Sequence, residues 1–197
     1  MARRTFKEVV DGLKRARRDL RGSIKLRAAL DRFAVDVRGR TALDVGAAAG
    51  GFTAVLLERG ADRVYAVDAG HGQLLGSLRQ DRRVVNLEST NVGDLSPALV
   101  PDAVDLVTID VSYLSLSEAI AQIGAVVLAP GADLIGLVKP MFELKLASAP
   151  GDRESLDRAL AAAVAGAESA GWNVAGTMDS PVAGAKGARE LFLHARR

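Results

Sequence analysis

Residues 41–51 read Thr-Ala-Leu-Asp-Val-Gly-Ala-Ala-Ala-Gly-Gly: a short apolar run, an acid, then a turn rich in small residues. Seventeen residues after Gly51, a second apolar run, Val64-Tyr65-Ala66-Val67, closes on Asp68. Glycines at the end of one strand and an acid at the end of the next mark a nucleotide-type cofactor site in an α/β fold. Gly46 and Gly50 let backbone approach a ligand where a Cβ would clash. A carboxylate at Asp68 can accept from both hydroxyls of a ribose. The spacing is Asp-x-Gly-x-x-x-Gly and not Gly-x-Gly-x-x-Gly, so it suits a ligand without phosphates, and S-adenosylmethionine (SAM) fits. Asp44, Ala47, Gly51 and Phe52 are expected to line the same recess.

Outward from this stretch, strands and helices alternate. Strands are expected near 41–45, 63–68, 84–88, 104–110, 132–138, 173–178 and 190–196. Helices are expected near 23–34, 52–59, 72–80, 115–127 and 153–170. Near-continuous apolar strands separated by helices predict a seven-stranded, mostly parallel sheet with helices on both faces. In such sheets ligands sit outside the carboxyl ends of the strands. Gly46, Asp68, Asn91, Asp110 and Lys139 all fall at such ends, and their agreement is the strongest argument in the sequence.

Composition narrows the chemistry. The chain has 197 residues, 49% hydrophobic and 4% aromatic, which suits one domain with an aliphatic interior. It has no cysteine. Disulfides, cysteine-ligated zinc, iron–sulfur clusters and thiol nucleophiles are therefore excluded, and with them methyl transfers that need a cysteine adduct or a radical cluster. No metal-ligand cluster is visible, and His71 and His194 stand alone. The longest apolar zone, 118–138, is interrupted by Gln122, Pro130, Gly131 and Asp133, so no membrane span is expected. The charged N-terminus lacks the apolar core of a signal peptide, and a cytoplasmic enzyme is the default expectation.

Net charge is +2, but residues 1–21 carry eight Lys or Arg against three acids, +5, so the remainder sums to −3. Thr5 and Glu8 form a capping box for an amphipathic helix over about 6–20, with Phe6, Val9, Val10, Leu13 and Leu20 at helical spacing. Its arginine-rich face is either a nucleic-acid contact or a solvated surface. The organisation expected is thus a basic N-terminal helix, 1–21, followed by a catalytic domain, 22–197.

Two strand ends carry reactive groups. Asp110 follows Val104–Ile109, and Val111-Ser112 stand where an amine methyltransferase would place two prolines. Lys139 closes the apolar strand Leu134–Val138. Burying an ammonium is costly unless it is paired, and Asp110 on the neighbouring strand is the obvious partner. The pair is either catalytic or a structural ion pair. Beside a sulfonium methyl donor it suggests O-methylation, with lysine as base, an in-line hydroxyl acceptor and a dry site.

The segments LDVGAAAGGFT at 43–53, YAVDAGHGQL at 65–74, NLESTNV at 86–92, TIDVSYLSL at 108–116 and LVKPMFE at 137–143, with Lys25-Leu26 ahead of them, resemble the TlyA (hemolysin A) group of FtsJ-like ribose 2′-O-methyltransferases. The likeness runs over about 22–197. It implies a class I SAM-dependent methyltransferase of Rossmann-like fold acting on ribosomal RNA, with a Lys-Asp-Lys-Glu tetrad at Lys25, Asp110, Lys139 and Glu190. By the same resemblance, Lys139 is the base, Asp110 holds it, Asn91 contacts the adenine and Asp68 the SAM ribose. Tyr113 and Phe142 are expected on the acceptor side. The family carries an S4-type RNA-binding domain ahead of the methyltransferase, where this chain shows only the basic helix. Ala48 and Ala49 replace hydroxyl residues, and Leu144–Asp152 replaces a Gly/Lys-rich segment. These departures keep a second acceptor class open, a small molecule or nucleoside. A non-catalytic binding protein is disfavoured by the complete tetrad, and a pore-forming haemolysin by the lack of a membrane span.

Overall fold

The computed structural model describes residues 20–197; the expected basic helix at about 6–20 lies outside the described residues apart from its last position. Seven strands form a single sheet: β1 (Thr41–Val45), β2 (Arg63–Asp68), β3 (Val84–Glu88), β4 (Val104–Ile109), β5 (Leu128–Val138), β6 (Asn173–Asp179) and β7 (Leu191–Arg196). Their order is β3-β2-β1-β4-β5-β7-β6. The first five strands pair in parallel, and β7 runs antiparallel to both β5 and β6. The lateral order of the strands reverses between the parallel neighbours β1 and β4, where the crevice of a doubly wound sheet opens.

Helices α1 (Arg21–Phe33), α2 (Gly51–Glu58) and α3 (Gly76–Arg79) cover one face; α4 (Leu116–Gln122) and α6 (Arg153–Ser169) cover the other, and a short α5 (Pro140–Glu143) follows β5. The two apolar clusters follow from strand alternation. Leu43, Val45, Val107 and Ile109 point to the α4/α6 side, and Ala42, Val64, Leu106 and Ile135 to the α1/α2 side. Helix α1 docks closely on α2 because Gly22 and Gly51 meet backbone to backbone, and the buried Ser23 hydroxyl donates to the Gly51 carbonyl at 3.0 Å. Helix α4 begins with a capping box, Ser115 and Glu118, and α6 with Asp152 accepting from the Ser155 amide.

All seven expected strands form, but several boundaries differ. The helix expected over 72–80 shortens to Gly76–Arg79, because the amides of Gln73 and Leu74 donate to the Glu88 carboxylate. The helix expected over 115–127 ends at Gln122 and passes into a 3₁₀ turn, Ile123–Ala125, around Gly124. Strand β5 starts four residues earlier than expected, at Leu128, and its pairing with β4 shifts register across Pro130-Gly131. The turn Pro140–Glu143 was not anticipated. Pro140 cannot continue the ladder and holds Lys139 extended (φ −111°, ψ 104°), and its missing N–H is harmless in a first helical turn. Glu143 then reaches across to the N-terminus of α4, accepting from the Leu116 amide and the Ser117 hydroxyl. No helix among the described residues is long and apolar enough to cross a membrane.

Candidate active site

The glycine turn is built from both sides. The amides of Gly46 and Ala47 donate to the Val67 carbonyl, at 2.9 and 3.0 Å, tying the exit of β1 to that of β2. Gly46 (φ +86°) packs directly on the Asp110 carbonyl, so a Cβ there would collide with backbone. Asp68 closes the turn: one oxygen accepts from the Ala48 amide at 2.8 Å and the other from Gly70 at 2.7 Å. It remains half-buried, with lone pairs to spare for a ligand. Asn91 leaves the end of β3, and its neighbour Thr90 donates to the Asp68 carbonyl. The Asn91 amide itself donates to Asp94 at 3.3 Å on the exposed side.

Asp44 does not face the recess, contrary to the sequence expectation. It lies fully buried beneath the turn, where its oxygens accept from Thr53 at 2.6 Å and Thr108 at 2.9 Å. Burial pushes its carboxyl up to about 6, against the lowering effect of the two hydroxyls. A raised carboxyl binds its proton more tightly folded than unfolded, so stability falls as pH rises from about 4 towards 6 and the cost persists above. Asp44→Asn, which removes the charge, keeps one acceptor oxygen and offers the second threonine hydroxyl a donor instead, should therefore gain about 2–3 kcal/mol over wild type at pH 8, with the difference closing near pH 4. Urea melts at the two pH values measure this, and equal stabilities at pH 8 would contradict the buried charge.

Four charged side chains from distant segments meet beyond the turn. Lys139 Nζ lies 2.6 Å from Asp110 Oδ1, and Lys25 Nζ lies 2.5 Å from Glu190 Oε2. Lys25 and Glu190 are nearly enclosed, with side chains 8% and 6% exposed. Gly184 sits over Glu190, leaving no room for a Cβ, and its amide closes the 184–188 loop on Ala188. Lys139 makes a second contact, donating to Ser112 Oγ at 2.7 Å. All four charged groups line one cleft of about 710 Å³, together with Gly46, Ala48, Ser112, Phe142 and the lip residues Arg21, Lys186 and Arg189. A smaller recess of about 150 Å³, lined by Gly46–Ala49, Gly51, Phe52 and Asp110, adjoins it. Phe142 thus reaches the cleft, whereas Tyr113 stays on the surface, about half exposed, and is not among the lining residues.

The sequence of residues 19–197 matches the model of the FtsJ-like methyltransferases. The chain belongs to the FtsJ-like methyltransferase family. Among its relatives is the 16S/23S rRNA (cytidine-2′-O)-methyltransferase TlyA of Mycobacterium tuberculosis, 44% identical over 89% of this chain and 67% of that protein. A solved structure described as a hemolysin from Streptococcus thermophilus superposes with a TM-score of 0.85 at 34% identity, covering 90% of this chain and 66% of that one. The chain thus spans about two thirds of the length of these relatives. Aeropyrum pernix fibrillarin, solved with SAM, shares the fold at a TM-score of 0.59 and 18% identity, over 89% of this chain and 76% of that one.

As an FtsJ-like methyltransferase, the protein uses SAM as its methyl donor, and its residues fit that cofactor. Gly46–Ala49 and Gly51 line the recess with no side chain larger than a methyl, so backbone is bare there; Gly50 packs instead against Leu74 and Leu78, and Asp68, outside the lining, holds the turn through the Ala48 amide. Asp68→Ala should cost on the order of 1.5–3 kcal/mol of SAM affinity, the scale of hydrogen bonds to a charged group. Titration calorimetry would read this as a roughly tenfold or greater loss, and an unchanged affinity would remove Asp68 from the ribose. Two contributors escaped the sequence reading. Glu88, whose carboxyl is held at about 2 by the Asn86 side chain and the Leu74 amide, orders the 70–75 loop. Ser112 follows Asp110 by two residues, and that closeness in the chain was its only signal.

Proposed function

We propose that this chain transfers a methyl group from SAM to a ribose 2′-hydroxyl of ribosomal RNA. The observation that carries this reading is the meeting of two lysine–carboxylate pairs in the cleft that also holds the glycine turn. When bound, SAM supplies an electrophilic methyl on a sulfonium. Lys139 accepts the proton of the attacking hydroxyl, and Asp110 holds Lys139 at that position. Lys25 and Glu190 neutralise each other beside it and orient the acceptor ribose. Enclosure favours the reaction, because charge disappears in methyl transfer from a sulfonium. Arg21, Lys186 and Arg189 give the lip a positive character suited to a phosphate backbone. Residues 1–21 carry a net charge of +5, which suits the same polyanionic partner, and a ribosomal substrate implies a cytoplasmic enzyme.

The test is transfer of labelled methyl from SAM to rRNA or ribosomal subunits, followed by nuclease digestion to locate the label on ribose. Affinity for RNA should fall steeply with salt, with a slope set by the phosphates contacted. One observation favours a different acceptor: Pro140, Met141, Phe142, Ala147 and Ala149 make one wall of the cleft apolar, and its volume suits a drug-sized molecule. No label on any rRNA, with salt-independent transfer to a small hydroxyl compound, would establish that second reading instead.

A further inference from the structure

The Lys139 ammonium has two partners, not one. Asp110 Oδ1 is 2.6 Å from Nζ and Ser112 Oγ is 2.7 Å from it. Val111, between the two, is buried in the core, and Asp110 and Ser112 on either side of it both line the cleft. The Asp110 amide donates to the Val45 carbonyl at 2.9 Å, which anchors this short stretch to the end of β1. Among the described residues, Ser112 makes no other hydrogen bond.

We propose that Ser112 is a positioning residue for methyl transfer, fixing the direction in which Lys139 receives the acceptor's proton; the inference rests on the reading of Lys139 as base. The argument is the tetrahedral geometry of an amine. A neutral lysine nitrogen has a bond to Cε, two N–H bonds and one lone pair. A single carboxylate partner engages one N–H and leaves the head group free to turn about the Cε–Nζ bond. Two acceptors at different places, Asp110 and Ser112, engage both N–H bonds. The lone pair is then the one position left, and it opens on the cleft that all three residues line. A base aimed in this way meets the hydroxyl without searching, and misplacement by about 1 Å can cost around 10² in rate.

The experiment uses the full chain under saturating SAM, with rRNA varied up to saturation at steady state, and Lys139→Ala as the reference for complete loss. Ser112→Ala should lower kcat by roughly 10- to 100-fold, with the SAM Kd and the KM for RNA unchanged. Ser112→Cys, close in volume but a weak acceptor, should fall with it, and Ser112→Thr should restore most of the rate. The inference is overturned if Ser112→Ala or Ser112→Cys turns over at the wild-type rate, or if Ser112→Thr is as slow as Ser112→Ala. A change confined to the KM for RNA would make Ser112 an acceptor contact and would overturn it equally. Failure of the underlying reading shows in different samples: wild type that labels no RNA, or Lys139→Ala that remains active.

Discussion

Lys139→Ala should lose methyl transfer by about 10²–10⁴, the usual consequence of removing a positioned base, while SAM affinity stays close to wild type. The two effects separate because Lys139 lines the larger cleft and is not among the residues lining the smaller recess that Gly46–Ala49 form. Lys139→Arg is the sharper probe. It keeps a cation beside Asp110 but cannot give up its proton near neutral pH, so a base role predicts it to be as dead as the alanine variant. An arginine variant with substantial activity would make the cation's charge, and not its lone pair, the working feature. Asp110→Ala should follow Lys139→Ala, since it removes the nearest partner of the ammonium. Single-turnover label transfer with calorimetry for SAM distinguishes these outcomes.

Asp133→Ala should cost about 3–5 kcal/mol of stability, the scale for stripping a buried charge cluster of its shared partner. Asp133 is 2% exposed and receives three donors at the end of the sheet opposite the active site. Arg40 donates to one oxygen at 2.6 Å, and His194 and Arg196 approach the other at 2.7 and 2.9 Å. His194 also stacks on Phe33 of α1, with ring centroids 5.1 Å apart. The cluster thus joins the chain ahead of β1 to the β5–β7 pair. Arg196, with a half-exposed side chain, contributes least. Burial pushes the Asp133 carboxyl up, but the bonds from His194, Arg40 and Arg196 outweigh it and hold the group far below the usual carboxylate range. A depressed carboxyl stabilises the fold above the unfolded value of about 3.9, and the contribution is lost as pH falls below that. The stability gap between wild type and Asp133→Ala should therefore be full from about pH 5 upward and shrink below about pH 4. In thermal melts a loss of that size should lower Tm by roughly 10 °C or more. A gap that stayed constant into acid would mean that packing, not charge, holds the site.

The parts legible in the sequence are those that local pattern encodes. Strands β1, β2, β4 and β5 announce themselves by apolar runs, and parallel topology places their carboxyl ends on one side, so Gly46, Asp68, Asp110 and Lys139 could be grouped before any coordinates. Adjacent strand ends also made Asp110 the natural partner of Lys139.

What tertiary structure alone decided involves groups whose partners are far away in sequence. Asp44 reads as a loop ligand because it opens the glycine motif; the fold puts Thr53 and Thr108 around it and turns it into a buried brace. Asp133 reads as a mere interruption of an apolar run; the antiparallel return of β7 brings His194 and Arg196 to it from 61 and 63 residues away. Lys25 and Glu190, 165 residues apart, were assignable only by resemblance, and their ion pair exists because α1 and the start of β7 meet at one cleft. The sequence by itself determined where polar groups leave the strands, since the end of an apolar run is a local property. Which of those groups touch was decided by packing, because a hydrogen bond depends on tenths of an ångström between elements whose relative placement no local pattern records.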